Sequence, residues 1–152
     1  METQLFKKTF AQIAKKNNFQ TAFGGWYVQS GECILALQLQ RSNFSSLYYL
    51  NIYIYIQGYY DTFFPSITKE IIRGKFKYFF RREDRKYSPF FDQENDLTDE
   101  IRTRQLDIFF KEWMVPFTEK ALSRKGVIEL IETNQLGGTQ SNIDKIIALI
   151  NK

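Results

Sequence analysis

Histidine is absent from all 152 residues, and cysteine occurs once, at Cys33. Histidine is the side chain that changes charge near neutral pH unaided, and it is the commonest nitrogen ligand for zinc, copper and iron. Its absence excludes serine and cysteine triads of the usual type and the zinc hydrolases, leaving carboxylates, Lys, Tyr and Arg as the only groups for catalysis. No catalytic motif is built from them. A lone cysteine in an apolar strand cannot form an internal disulfide, so nothing marks an oxidising compartment. The glycines build no phosphate-cradling loop. Gly24-Gly25 precedes a strand pattern and Gly137-Gly138 a helix pattern, and neither has P-loop spacing or its Lys-Ser/Thr. No cofactor is expected. The apolar runs fall far short of the roughly 20 residues of a spanning helix, and Met1 to Lys8 lacks a basic region followed by an apolar one. Cytoplasmic placement without a membrane partner is the expectation.

Aromatic residues are abundant: fifteen Phe, nine Tyr and two Trp make 17% of the chain, more than a core of this size usually requires. Some should be partly exposed. With 43% hydrophobic and 25% charged residues the composition is that of a folded globular protein, and a chain of this length is read as one domain spanning 1-152.

Leu5, Phe6, Phe10, Ile13 and Ala14 recur at helical spacing and predict an amphipathic helix from Thr3 to Lys16, closed by Asn17-Asn18 with Phe19 packing back on it. Trp26 to Gln29 and Cys33 to Gln40 follow as strands joined at Ser30-Gly31. Leu47 to Gln57 is a third strand and completes a long hairpin. Gly58 to Ser66 has turn formers and no clear period, so it reads as a packed loop over the sheet edge. Alternation from Lys75 to Arg82 gives a fourth strand. Asp96 or Thr98 can cap a broadly apolar helix whose first turn carries Asp99 and Glu100, and Pro116 should end or kink it. Helices from Ser123 to Thr133 and from Ser141 to Asn151 complete the chain, the last with a capping-box pattern in Ser141-Asn142-Ile143-Asp144. The class is α+β: a four-stranded antiparallel meander with one N-terminal helix and C-terminal helices on one face.

Gln38-Leu39-Gln40-Arg41-Ser42-Asn43-Phe44, followed by Tyr48-Tyr49-Leu50-Asn51-Ile52-Tyr53-Ile54, resembles the central signature of domain of unknown function 4304, a mainly bacterial family. Its members pair a Gln-x-Gln-x-Ser strand end with an Asn-bearing strand. The resemblance extends more weakly from the first helix to the helices after Pro116. Two features depart from it: Asn18-Phe19 stands where Gly-Phe is common, and the Trp-containing region of the later helix is represented only by Trp113. It implies a compact α+β domain and assigns no activity.

The third strand has two faces, because successive side chains alternate. Tyr48, Leu50, Ile52, Ile54 and Ile56 form the face expected in the core. Tyr49, Asn51, Tyr53 and Tyr55 form the other, with Gln38 and Gln40 on the neighbouring strand. Read as plain sheet chemistry, the Gln, Ser42 and Asn51 side chains satisfy hairpin backbone groups or one another, and the tyrosines pack across strands. Read as a surface, they make an aromatic platform that is accessible and receives a protein, a peptide or a second copy of the chain. Charge adds to that choice. Lys69 to Lys86 carries eight basic and three acidic residues, whereas Tyr87 to Glu100 carries five acidic and none basic. Either the segments neutralise each other, or Lys77, Arg81 and their neighbours make a basic strip beside the tyrosines, a combination that single-stranded nucleic acids bind. Glu83-Asp84 does not read as an acid and base pair, since adjacent strand residues face opposite ways. The leading expectation is a non-catalytic interaction module that binds a protein through the open sheet face. The alternatives are single-stranded nucleic-acid binding through 69-86 and a toxin-neutralising role. An inhibitor of nucleases should be acidic, so the basic charge counts against that role and leaves open only a toxin of another class.

Overall fold

The computed structural model describes residues 1–152. Helix α1 (Thr3–Lys16) buries Phe6, Phe10, Ile13 and Ala14, the stripe its spacing predicts. It closes as its last residues dictate: Asn18 takes a left-handed φ of 71°, and the Phe19 amide donates to the Ala14 carbonyl at 3.0 Å. Phe19 is thereby folded into the core.

Five strands follow, β1 (Gln20–Ala22), β2 (Gly25–Gln29), β3 (Cys33–Arg41), β4 (Tyr48–Ile56) and β5 (Phe79–Arg82), all antiparallel and in chain order across one sheet. The strand beyond the four expected is β1. It pairs with β2 around Phe23-Gly24, both at positive φ. That is the twist a two-residue hairpin needs, but Phe is not the Asn or Asp that announces it. The long β3–β4 hairpin runs in register from Cys33 opposite Ile56 to Arg41 opposite Tyr48.

The C-terminal half is helical. Thr98 caps α3 (Asp99–Phe109) through the Ile101 amide, and the helix does not stop at Pro116. It widens into a π segment, Phe110–Met114, and continues as α4 (Val115–Ala121), so the wider turn accommodates the proline. Ser123 caps α5 (Arg124–Glu132). The last helix, α6 (Gln140–Ile150), has its capping box two residues before the expected one, formed by Thr139 and Asn142. No helix is long and apolar enough to cross a membrane.

These helices and α1 lie on one face of the sheet over Tyr48, Leu50, Ile52, Ile54 and Ile56, which join a contiguous cluster of 30 buried residues. The face assigned to the core is the right one. The opposite face carries a second, smaller cluster. Ile34, Ala36, Tyr53 and Tyr55 pack there against Ile71 and Ile72 of the one-turn helix α2 (Lys69–Ile72). The stretch between β4 and β5 therefore crosses over half the sheet rather than skirting its edge.

Candidate functional site

The alternation of β4 aims Tyr49, Asn51, Tyr53 and Tyr55 at that second face, and the register places Gln40 opposite Tyr49 and Gln38 opposite Asn51. Two hydrogen-bonded groups, Tyr53 with Gln38 and Arg82 with Asn51 and Gln40, hold most of them. Tyr53 donates its hydroxyl to Gln38 Oε1 at 2.8 Å, Asn51 Nδ2 donates to Gln40 Oε1 at 2.7 Å, and Arg82 Nε donates to Asn51 Oδ1 at 3.2 Å. The Arg82 guanidinium then lies 4.0 Å from the Tyr49 ring centroid. Tyr53 stacks on Phe80 at 5.8 Å, and the Lys77 ammonium sits 5.8 Å from the Tyr53 ring and 5.9 Å from the Phe80 ring.

The expectation that the whole tyrosine face is accessible does not hold. Asn51, Tyr53 and Tyr55 are 3%, 6% and 0% exposed. Tyr55 is sealed between Phe64 and Tyr78, and its hydroxyl lies 3.0 Å from both the Ile71 and the Lys75 carbonyl. Burial pushes its pKa well above the ordinary tyrosine value. The chain turns under this cover at Gly74, whose φ of 76° and closeness to the Tyr53 ring leave no room for a Cβ. What stays open is the far half of the face: Gln40, Arg82 and Lys77 are exposed, Gln38 and Tyr49 half-buried, and Phe80 keeps 43% of its surface in solvent.

Arg81 belongs elsewhere. It pairs with Ile52, on the core side of the sheet, where its guanidinium lies 4.6 Å from the Trp113 ring and donates from Nη1 to the Gln135 carbonyl at 2.7 Å. Burial lowers its pKa, with Asp84 and Glu83 opposing. Arg82 takes the place beside the tyrosines that the sequence reading gave to Arg81. A strand phased from Phe80 alone would have found it, because Phe80 pairs with Tyr53 and Arg82 with Asn51.

The question of charge has a clear answer. No side chain between Lys69 and Lys86 makes an ion pair within 4.0 Å. The acidic loop is organised instead by the fully buried Arg102, whose Nη1 donates to the Phe90 and Asp92 carbonyls and whose Nη2 donates to Asn95 Oδ1. Glu83 is 6% exposed at the end of β5, accepts from the Leu50 amide at 3.3 Å, and is pushed by burial up to a pKa of about 7. It also lines a cleft of about 460 Å³ between Tyr49, Arg82 and Arg85 on one side and the loop at Gln135 on the other. No cluster of three or more carboxylate or thiol side chains is placed to hold a metal.

A family model described as Domain of unknown function (DUF4304) matches residues 10–120. The chain belongs to this family. The match spans the second half of α1, the whole sheet, the basic segment and nearly all of α4, so the open face of this DUF4304 protein lies inside it. One wall of the cleft, with α5 and α6, lies beyond its end. Neither the curated proteins nor the solved structures contain a match to the chain.

Proposed function

We propose that this DUF4304 chain is a non-catalytic recognition module that binds an acidic segment of a partner protein on the open half of its sheet, along Gln40, Tyr49, Arg82, Phe80 and Lys77. The observation that carries this reading is that Lys77 and Arg82 lie over aromatic rings with no carboxylate paired to them. A guanidinium held by a neutral amide and a ring keeps its charge available, and a desolvated aromatic neighbour strengthens what it binds. A second copy of the chain would set the same cations against each other, so complementarity favours an acidic partner over self-association. A toxin-neutralising role is the same reading with the toxin as partner.

Affinity capture from the native host by the wild-type chain and by the double variant Lys77→Ala, Arg82→Ala tests it. Partners lost with the folded variant, and rich in Asp and Glu, are the expected result; identical partner sets end this reading. A second reading has its own observation, the half-exposed Phe80 between Lys77 and Arg82, since cation and ring together are what single-stranded nucleic acid stacks on. Retention of single-stranded RNA or DNA at low salt, released as salt rises, would favour it, because phosphate contacts release counterions. No retention removes it.

A further inference from the structure

Three arginines line the cleft beside β5, and two of them are oriented by neutral groups. Arg81 is fixed by the Gln135 carbonyl at 2.7 Å, the Arg82 carbonyl at 2.9 Å and the Trp113 ring. Arg82 is fixed by Asn51 Oδ1 and the Tyr49 ring. Arg85 is exposed at the mouth. None has a carboxylate within 4.0 Å. The two acids nearest in the chain are turned to other work: Glu83 accepts from the Leu50 amide, and Asp84 Oδ1 accepts from the Lys86 amide at 3.0 Å.

Such an arrangement is costly in the empty protein, since like charges repel: Glu83 also lines the cleft, but burial holds its pKa up at about 7, so it offsets the three positive charges only in part. Arg82 spends only Nε on Asn51, so both terminal nitrogens of its fork stay free. The charge to be matched also discriminates between ligands. A carboxylate carries one negative charge and would leave most of the site unbalanced, whereas a phosphoryl group carries about −1.5 to −2 at neutral pH and offers three acceptor oxygens to forks arriving from different directions. At about 460 Å³ the cleft has room for the group and for what carries it.

We propose that the cleft between Arg82, Arg85 and the Gln135 loop is a binding site for a phosphoryl group, with Arg82 and Arg85 as its ligands and Arg81 as a wall that positions the loop. The site does not rest on the partner reading. It needs no second protein, and Lys77 lies outside it.

Calorimetry on the purified chain at low ionic strength, with inorganic phosphate, phosphoserine and adenosine 5′-monophosphate as probes and acetate as control, tests the site. Saturable one-to-one binding of at least one phosphorylated probe is expected, with acetate silent. Which probe binds tightest tells a free anion from a phosphorylated side chain or a nucleotide. Arg82→Gln and Arg85→Gln should each weaken binding by roughly tenfold or more, the range lost with a charge-assisted hydrogen bond, while Lys77→Gln leaves it unchanged. Both arginines are exposed, and a thermal melt confirms that the variants fold. Absence of saturable heat with all three probes overturns the proposal. So does equal binding of acetate, or binding that survives the Arg82, Arg85 double substitution. Because the readout needs no protein partner, its failure leaves the capture experiment intact, and the reverse also holds.

Discussion

Glu83 keeps only 6% of its surface in water, and burial raises its pKa from 4.5 to about 7 despite the opposing pull of Arg82 and Arg81. The consequence for stability has a definite sign. Between those two values the unfolded chain has released a proton that the folded chain still holds, so unfolding becomes more favourable as pH rises. Stability should fall from about pH 4.5 to about pH 7 and then level off, by on the order of 3 kcal/mol from this group alone. Glu83→Gln keeps an acceptor for the Leu50 amide and removes the titration. Its urea midpoint should therefore exceed that of the wild type at pH 8, with the difference closing near pH 4.5; parallel curves across that range would mean that Glu83 ionises normally. None of this was legible in the sequence, where Glu83-Asp84 reads only as two neighbours that face opposite ways. Burial comes from the register of β5 against β4, which alternation alone does not fix. The same gap explains Arg81 and Arg82: the sequence identifies an arginine beside the tyrosines, and only the pairing of Arg82 with Asn51 says which.

Among the elements, the long hairpin was the most legible because its apolar set repeats strictly every second residue over the whole of β4. Ile54 is fully enclosed, so Ile54→Ala should cost about 2 to 5 kcal/mol, read as a drop in the denaturation midpoint. Helix α1 was equally plain, since stripe and terminating Asn agree. The cover over Tyr53 and Tyr55 was not. It is made of a one-turn helix and a reversal at Gly74, pieces too short to show a period, and its Ile71 and Ile72 look like any apolar pair. Its dependence on Gly74 gives a sharp prediction. Gly74→Ala must strain a φ of 76° and press a methyl against the Tyr53 ring, which should cost about 1 to 3 kcal/mol. Gly31→Ala, where nothing lies within 4 Å, should be close to neutral. Equal thermal midpoints for the two variants would show that the Tyr53 cover is loose.

At the scale of the molecule, the segregation of charge along the chain suggested two segments able to neutralise each other, and the fold keeps them apart. Arg102 and backbone groups hold the acidic loop, and no ion pair within 4.0 Å joins it to the basic stretch. The family match ends at residue 120, yet the core does not. Val127, Leu130 and Ile131 of α5, Leu136, and Ile143 and Ile146 of α6 all belong to the principal cluster. Polar ties bind the same part to the sheet: Arg124 Nη2 donates to the Gln57 carbonyl at 2.7 Å, Asn142 Nδ2 donates to the Tyr59 hydroxyl at 2.9 Å, and Arg81 reaches the Gln135 carbonyl. Removing everything after Leu122 would strip these contacts from Tyr59 and the inner side of α4, and leave the large aromatic core open to water. The shortened chain should lose its cooperative transition, with near-ultraviolet dichroism flattened while far-ultraviolet signal persists, as in a compact state without fixed packing. A truncated chain that melts as sharply and at the same temperature as the full one would instead mean that residues 10–120 carry the fold and that α5 and α6 merely rest against it.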